Sequence, residues 1–185
     1  MEGQASHVRA QLGFHSATDG GFYSRLTARE NLNFFAAMNN LFAAEAALRL
    51  EELTELMGMG GFLGSQVRTL STGQVHRLGL ARAMIHRPSV LLLDEPTRSL
   101  DPMAAAEFRR FLKSQLVDRH KTTVLFASHT LAEVEQLADR VILLDKGRLV
   151  ACDSPRALRD ATGSTTLEEA LERLTLPGCR AEVLS

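Results

Sequence analysis

The sequence predicts an α/β domain with a mostly parallel sheet. The first observation is that short, continuous apolar runs rich in Val, Leu and Ile recur in the second half of the chain. Such runs are typical of strands whose two faces are both covered by helices. The second observation is that each run follows a segment with the apolar spacing of a helix. Alternating helices and strands favour a parallel sheet.

The first half of the chain is predicted to be mostly helical. Thr27-Ala28-Arg29-Glu30 is a capping box, which opens a helix that continues through about Met38. A second helix, over about residues 43–57, ends at the glycine-rich Gly58-Met59-Gly60-Gly61. The apolar stripes of both helices are interpreted as packing surfaces.

The second half is predicted to alternate between helix and strand. A tight turn at Lys146-Gly147-Arg148 is expected before the last strand, and Thr165 and Thr166, each with Glu three residues on, are expected to cap the last helix. The predicted helices cover about residues 72–86, 103–119, 131–137 and 167–174, and the predicted strands cover 89–93, 122–127, 140–144 and 149–152.

Composition excludes several classes of protein. A chain of 185 residues corresponds to one domain, or two at most. Its 21 basic and 22 acidic residues give a net charge of −1, which argues against a dedicated nucleic-acid binder. The two cysteines, Cys152 and Cys179, match no metal-ligand spacing and favour a reducing compartment. No apolar run approaches the ~20 residues of a membrane-spanning helix, and the first residues lack the pattern of a secretory signal.

The first candidate site is the segment Val90-Leu91-Leu92-Leu93-Asp94-Glu95-Pro96. A buried strand that ends in two carboxylates places them at the carboxyl edge of the sheet, where α/β folds bind ligands. Asp94 suits a Mg²⁺ shell, and Glu95 could polarise a water for attack on a phosphoryl group. The structural alternative is that the two carboxylates only begin a loop and cap the next helix.

Three further segments accompany this acidic pair. Leu70-Ser71-Thr72-Gly73-Gln74 opens a helix, where a hydroxyl, a glycine and free amides together make an anion site. Ser99-Leu100-Asp101 follows the acidic pair, and Ser128-His129 ends the next strand. The other histidines, His7, His15, His76, His86 and His120, are interpreted as structural or solvent-facing.

The order and spacing of these motifs resemble those of an ABC-type ATPase. Residues 70–83 look like its signature motif and helix, 91–96 like its Walker B, 99–101 like its D-loop, and Ser128-His129 like its switch histidine. The similarity runs from about Leu12 to Cys152. Residues 12–14, 23–27 and 30–32 resemble the stretch that leads through the Q-loop into the helical subdomain. The Leu-Ser-Thr-Gly-Gln signature looks most like the export branch that handles sodium, drugs or antibiotics.

The resemblance implies a role for each matching residue. Asp94 would hold Mg²⁺ through water, Glu95 would be the general base, and His129 would contact the γ-phosphate. Asp101 would lie at the interface of a dimer. Ser71, Thr72, Gly73 and Gln74 would bind the nucleotide held by the opposite subunit, with Ser71 and Gly73 closing on its γ-phosphate. The expected cofactors are therefore ATP and Mg²⁺.

The chain departs from the family pattern in its phosphate-binding loop. The motif G-x-x-x-x-G-K-[ST] cradles phosphates through backbone amides and a lysine. None of the 13 glycines is followed by Lys, and the only lysines, Lys113, Lys121 and Lys146, lie after the signature. Ala17 stands where the family commonly has the Q-loop glutamine. We therefore expect an N-terminally truncated module that lacks the Walker A strand, binds ATP very weakly and has unpaired strand edges.

The expected fold is a P-loop NTPase-like α/β domain with a helical subdomain. The partial ATPase domain would cover residues 1–163, with the helical subdomain at about 27–87, the catalytic α/β part at about 88–152, and a short helix and tail at 164–185.

Two main functional hypotheses remain open. One is an ATP-binding and ATP-hydrolysing subunit that energises export through a separate membrane permease, although inactive alone. The other is a non-catalytic partner that donates its signature motif to an intact ATPase subunit. An ABC ATPase that acts on ribosomes or DNA fits the near-zero charge less well. In the first two hypotheses the chain would be cytoplasmic and peripheral on the inner face of the membrane, bound to a permease and a second ATPase subunit, with no nucleic-acid partner.

Overall fold

The computed structural model describes residues 7–16 and 21–176. Ala17, Cys179 and the end of the predicted tail lie outside these described residues. The chain divides into two compact units, Met1–Ala127 and Ser128–Ser185, and each unit is described by itself.

The first unit contains a three-stranded parallel sheet. Its strands are β1 (Leu12–Ser16), β2 (Val90–Asp94) and β3 (Thr123–Ala127), in the order β1-β2-β3. The register places Ser16 opposite Asp94 and Asp94 opposite Ala127. The three strands therefore end together, at one carboxyl edge.

The first half is mostly helical, as predicted, but it also contains the strand β1, which was not predicted. This strand carries a glycine and two polar residues, so its sequence lacks the apolar run that indicated the other strands. The strand lies close to Ala83, the last residue of the helix that begins at Thr72. A Cβ atom at Gly13 would come within 2.3 Å of the Ala83 carbonyl oxygen, so only glycine fits there. Close packing, rather than strand propensity, explains this element.

The helices that accompany the sheet include α1 (Ala28–Met38), α2 (Ala43–Leu56), α3 (Thr72–Ala83) and α4 (Pro102–Phe111). Helix α4 continues as a π-helix over Leu112–Arg119, and a 3₁₀ turn covers Val67–Thr69. The capping box of α1 is confirmed, since the Glu30 N–H donates to Thr27 Oγ1 at 3.1 Å and the Thr27 N–H donates to Glu30 Oε2 at 2.7 Å. The largest buried side chains of the unit include Leu32, Leu53, Leu78, Leu80, Ile85, Leu91 and Leu116.

Arg49 joins α2 to the end of α3. Its Nε donates to the Ile85 carbonyl at 3.1 Å, and its Nη2 donates to the Met84 carbonyl. Its Nη1 donates to Glu52 Oε2 at 2.9 Å. Burial lowers the pKa of Arg49, and the hydrogen bond from Arg49 lowers the pKa of Glu52. A cation at the carbonyl end of a helix is favourable, so Arg49 stabilises both helices in contact.

The second unit is a hairpin packed with three helices. It comprises α5 (Leu131–Leu137), β4 (Val141–Asp145), β5 (Arg148–Asp153), α6 (Pro155–Thr162) and α7 (Leu167–Thr175). β4 and β5 are antiparallel, and Lys146 and Gly147, with φ of +48° and +75°, form the predicted turn between them. Helix α6 was not predicted, although Ser154-Pro155 is a cap followed by Pro at the first helical position. The core contains Ala151, Leu158, Leu167 and Leu174.

Unpaired strand edges are present in both units. Within the described residues, β3 has only β2 as a strand neighbour and β4 has only β5. Leu125, in the middle of β3, is 52% exposed, whereas Leu91 in β2 is fully buried. The expected edges are thus apolar strands with one open side.

Candidate functional site

The carboxyl edge of the parallel sheet brings two oxygen-bearing side chains together. Asp94 ends β2 and Ser16 ends β1, at matched positions of the register. The Ser16 hydroxyl donates a hydrogen bond to Asp94 Oδ2 at 3.1 Å. Sequence reasoning missed Ser16, because β1 itself was missed; a polar residue at the end of a second parallel strand would have been the signal.

Glu95 follows Asp94 in a strained backbone conformation. Its φ is +49°, in the left-handed region that residues other than glycine rarely adopt. Its N–H donates to the Ala127 carbonyl at 2.9 Å, and its carbonyl accepts from the Arg98 N–H at 3.1 Å. Such conformations cluster at functional sites, where the surrounding structure holds them.

Asp101, rather than the acidic pair, caps the next helix. Its Oδ1 accepts from the N–H groups of Met103 and Ala104, both at 3.0 Å, and Pro102 occupies the first turn of α4. The structural alternative that Asp94 and Glu95 cap this helix is therefore wrong. Asp101 itself is exposed and has a structural role, beside which the interface role implied by the resemblance remains a prediction.

The signature segment forms the N-terminus of α3. Ser71 is the cap: its Oγ accepts from the Gln74 N–H at 3.3 Å, and its N–H donates to Gln74 Oε1 at 2.9 Å. Ser71 and Thr72 are exposed, and apart from the adjacent residues and the backbone of the same helix, no atom lies within 4 Å of a Cβ built on Gly73. First-turn amides have no acceptor within their own helix. This geometry suits an anion that approaches from outside.

An open cavity of about 730 Å³ lies beside the signature. Its lining includes Ser71, Gly73 and Gln74, apolar residues such as Met57, Phe62, Leu80 and Phe108, and the charged residues Glu55, Arg77 and Glu107. The cavity is therefore lined by both apolar and charged side chains.

His129 belongs to the second unit and lies in a turn that Glu133 holds. The Ser128 hydroxyl donates to Glu133 Oε2 at 2.7 Å and accepts from the Thr130 N–H at 3.1 Å. Glu133 is only 1% exposed, whereas His129 is exposed. The turn is thus fixed by a buried carboxylate while the histidine faces outward.

The oxygen donors at the sheet edge suit Mg²⁺. A carboxylate and a hydroxyl are hard ligands, and Mg²⁺ binds through one or two carboxylates together with water and substrate phosphates. Within the described ranges no group of three or more His, Cys, Asp and Glu side chains could hold a metal. The residues therefore fit Mg²⁺ that arrives with a phosphate group. A loop to cradle that phosphate is absent from the 185 residues.

The described helices include none that is both long and apolar enough to span a bilayer.

Comparison with known proteins agrees with these motifs. Residues 2–98 match the ABC transporter family. The chain is 43% identical to the uncharacterized ABC transporter ATP-binding protein YdbJ of Bacillus subtilis (strain 168). This match spans 147 residues, which are 80% of this chain and 46% of that protein. It is 40% identical to the bacitracin transport ATP-binding protein BcrA of Bacillus licheniformis. This second match spans 130 residues, which are 70% of this chain and 41% of that protein.

The fold also matches a solved structure. CbiO1 from Clostridium perfringens, part of the ABC transporter complex CbiONQ, aligns with a TM-score of 0.76 at 23% identity, over 89% of this chain and 68% of that one. The chain spans about half the length of the curated relatives it matches. Family, fold and motif order agree, and the chain belongs to the ABC transporter ATP-binding family, with an α/β fold of the P-loop NTPase type.

Proposed function

We propose that this chain is part of an ATP-binding subunit that energises export through a separate membrane permease. In this role Asp94 holds Mg²⁺, Glu95 orients the attacking water, and His129 contacts the γ-phosphate. Residues 71–74 bind the nucleotide of a second ATPase subunit, and Asp101 lies between the two sites. The observation that carries the proposal is the open N-terminus of α3, where Ser71 and Thr72 are exposed and Gly73 leaves room for a phosphate.

An alternative role is supported by the absence of a phosphate-binding loop from the 185 residues. In this role the chain hydrolyses no ATP and only donates its signature to an intact ATPase subunit. The DNA upstream of the Met1 codon distinguishes the two: an in-frame phosphate-binding loop supports the hydrolytic subunit. If the upstream DNA encodes no such loop, only the role of donating the signature to an intact subunit remains.

The signature is tested by mixing the chain with a full-length ABC ATPase subunit from the same organism. We expect the chain to raise the ATPase rate of that subunit, and to bind ATP alone more weakly than micromolar in calorimetry. A mixture whose rate equals that of the full-length subunit alone would contradict the donated signature.

Two glycine variants give a matched control for this assay. Gly73→Asp adds a negative charge where the phosphate would bind, and neither space nor backbone conformation opposes it. An acidic side chain in the first turn also suits the helix dipole, so the fold should hold. Gly64→Asp adds the same charge at an exposed glycine that also has open space around it. Only Gly73→Asp should abolish the stimulation.

An apolar patch on α1 supports docking to the permease. We define the α1 patch as Tyr23, Phe34 and Met38, of which Tyr23 and Met38 are 52% and 67% exposed. The rings of Tyr23 and Phe34 are 4.9 Å apart, and Met38 lies one turn beyond Phe34. Buried Asn31 fixes Tyr23 by accepting from its N–H at 2.8 Å. Exposed apolar patches of this kind mark interaction sites.

The permease contact is tested by co-purification with the membrane subunit encoded nearest to this chain. Met38→Glu should reduce the co-purified amount, because it places a charge in the α1 patch. Leu48→Glu changes an equally exposed apolar residue on α2 and is the control. Docking through the α1 patch predicts loss for Met38→Glu only. Such docking would place the chain peripherally on the inner face of the membrane.

A further inference from the structure

A closed set of hydrogen bonds surrounds His129 at the start of α5. The Thr130 N–H donates to Ser128 Oγ at 3.1 Å, and the Ser128 hydroxyl donates to Glu133 Oε2 at 2.7 Å. The Glu133 N–H in turn donates to the Thr130 carbonyl at 2.9 Å. We call Ser128, Thr130 and Glu133 the serine relay. Through it, both sequence neighbours of His129 are bound to each other and to one carboxylate.

The serine relay differs from the capping boxes of α1 and α3. In those boxes the third helical residue, Glu30 or Gln74, accepts directly from the N–H of the cap residue. Glu133 is also the third residue of its helix, but the Ser128 hydroxyl lies between its carboxylate and the N–H of the cap. A direct box restrains only the cap residue, whereas the serine relay also restrains the residue that precedes the histidine.

The stability of the second unit does not account for the carboxylate of Glu133. The residue is 1% exposed, and among the described residues its Oε1 has no hydrogen-bond partner. A buried carboxylate oxygen without a partner costs free energy, and an apolar residue of similar size avoids that cost. What the carboxylate does supply is the acceptor that completes the serine relay.

We propose that Glu133 is a positioning residue that fixes the backbone of His129 through the Ser128 hydroxyl. Its buried carboxylate anchors the relay from inside the unit, while His129 itself is exposed. The imidazole is thereby carried on a backbone that is rigid before any phosphate arrives. The benefit for the contact of His129 with a γ-phosphate rests on the proposed function, whereas the restraint of the turn does not.

The test measures ¹⁵N relaxation of the His129 and Thr130 amides in the purified chain. A rigid backbone has an order parameter of about 0.85, and a flexible one has a value below about 0.6. We expect the rigid value in the wild type and the flexible value in Glu133→Leu, which removes the acceptor of the Ser128 hydroxyl. Ser128→Ala should lower the order parameters in the same way. Glu133→Gln keeps an acceptor oxygen and should retain the rigid value.

Glu135 supplies the matched control on the same helix. Its Oε1 accepts from Arg159 Nη1 at 2.8 Å and from the Leu167 N–H at 3.3 Å, so it joins α5 to the next two helices. Glu135→Leu breaks these bonds and should lower the urea midpoint of unfolding, but it should leave the order parameters at His129 and Thr130 unchanged. Glu133→Leu should show the opposite pattern, with flexible amides and a midpoint no lower than that of the wild type.

Three results would overturn the proposal. Unchanged order parameters in Glu133→Leu, or an equal decrease in Glu135→Leu, would show that Glu133 only fills the core. A urea midpoint that falls as far in Glu133→Leu as in Glu135→Leu would show that the carboxylate serves stability. Failure of the wild-type chain to stimulate an intact ATPase subunit would reject the proposed function and leave the measurements on Glu133 decisive.

Discussion

Glu95, the proposed general base, has an unfavourable backbone angle. Its φ of +49° is stabilised by hydrogen bonds of its own N–H and carbonyl, which fix the residue between β3 and the following turn. A residue type that tolerates this angle would serve a purely structural loop better. The unfavourable angle at Glu95 agrees with the role proposed for its carboxylate.

Replacing Glu95 by glycine should stabilise the fold. The left-handed conformation costs a residue with a Cβ atom roughly 1–2 kcal/mol, and glycine loses roughly 0.5–1 kcal/mol in backbone entropy. Glu95→Gly should therefore raise the free energy of unfolding by about 0.5–1 kcal/mol in urea titration. Lys121→Gly, at an exposed residue with φ of +54°, should give a similar gain. A loss of stability in Glu95→Gly alone would mean that the glutamate side chain stabilises the loop.

His76 predicts how stability depends on pH. Burial lowers the pKa of His76 below its ordinary value, and the nearby Pro96 backbone opposes part of this shift. At pH values well above 6.5, about the ordinary pKa of histidine, the ring is neutral in both states. As the pH falls below 6.5, the unfolded chain binds a proton that the folded chain binds only at lower pH, so the free energy of unfolding decreases.

Denaturation at pH 7.5 and pH 5.5 measures this decrease. The wild-type chain should lose more stability between these values than His76→Asn, which has no titrating ring at this position. His120→Gln changes an exposed histidine and should behave as the wild type does. Equal losses in the wild type and His76→Asn would assign the pH dependence to other groups.

The helices show how far sequence alone determines the elements. The capping box at Thr27 predicted the start of α1, and the Leu70–Gln74 segment predicted the start of α3, because both signals are local. Helix α3 ends at Ala83 and not at residue 86 as predicted. The next two carbonyls, of Met84 and Ile85, accept hydrogen bonds from Arg49. β1 and the bond from Ser16 to Asp94 depend on residues 78 positions apart, so local patterns did not reveal them.

The two capping boxes offer a comparison at the level of the element. Ser71 and Thr27 cap α3 and α1 with the same reciprocal pair of hydrogen bonds. Ser71→Ala and Thr27→Ala should each lower the free energy of unfolding by about 1 kcal/mol. Only Ser71→Ala should also reduce stimulation of an intact ATPase subunit, because Thr27 lies outside the signature. Equal stimulation of the ATPase subunit by the two variants would show that Ser71 acts only as a helix cap.

At the scale of the whole molecule, the strand order leaves β3 as an apolar edge. Leu125 and its neighbours would be shielded by another strand in a larger sheet. Open edges of this kind pair with other chains. The expectation of such edges came from the missing phosphate-binding loop, so a single absent motif predicted a property of the entire fold.

The open edge of β3 should cause self-association of the isolated chain. Light scattering should show an apparent mass that rises with concentration, and Leu125→Lys should reduce the rise at least twofold, since charges oppose edge pairing. Leu176→Lys adds the same charge at an exposed apolar residue outside the strands. If both variants reduce association equally, general solubility and not the strand edge is responsible.

The bonds of Arg49 determine how the helical part of the first unit can move. They fasten the carbonyl end of α3 to α2, and α2 also packs against α1. The three helices should consequently move together. The α1 patch and the signature terminus lie on different helices of this set, so a displacement at the patch would be passed to the signature terminus through the Arg49 attachment.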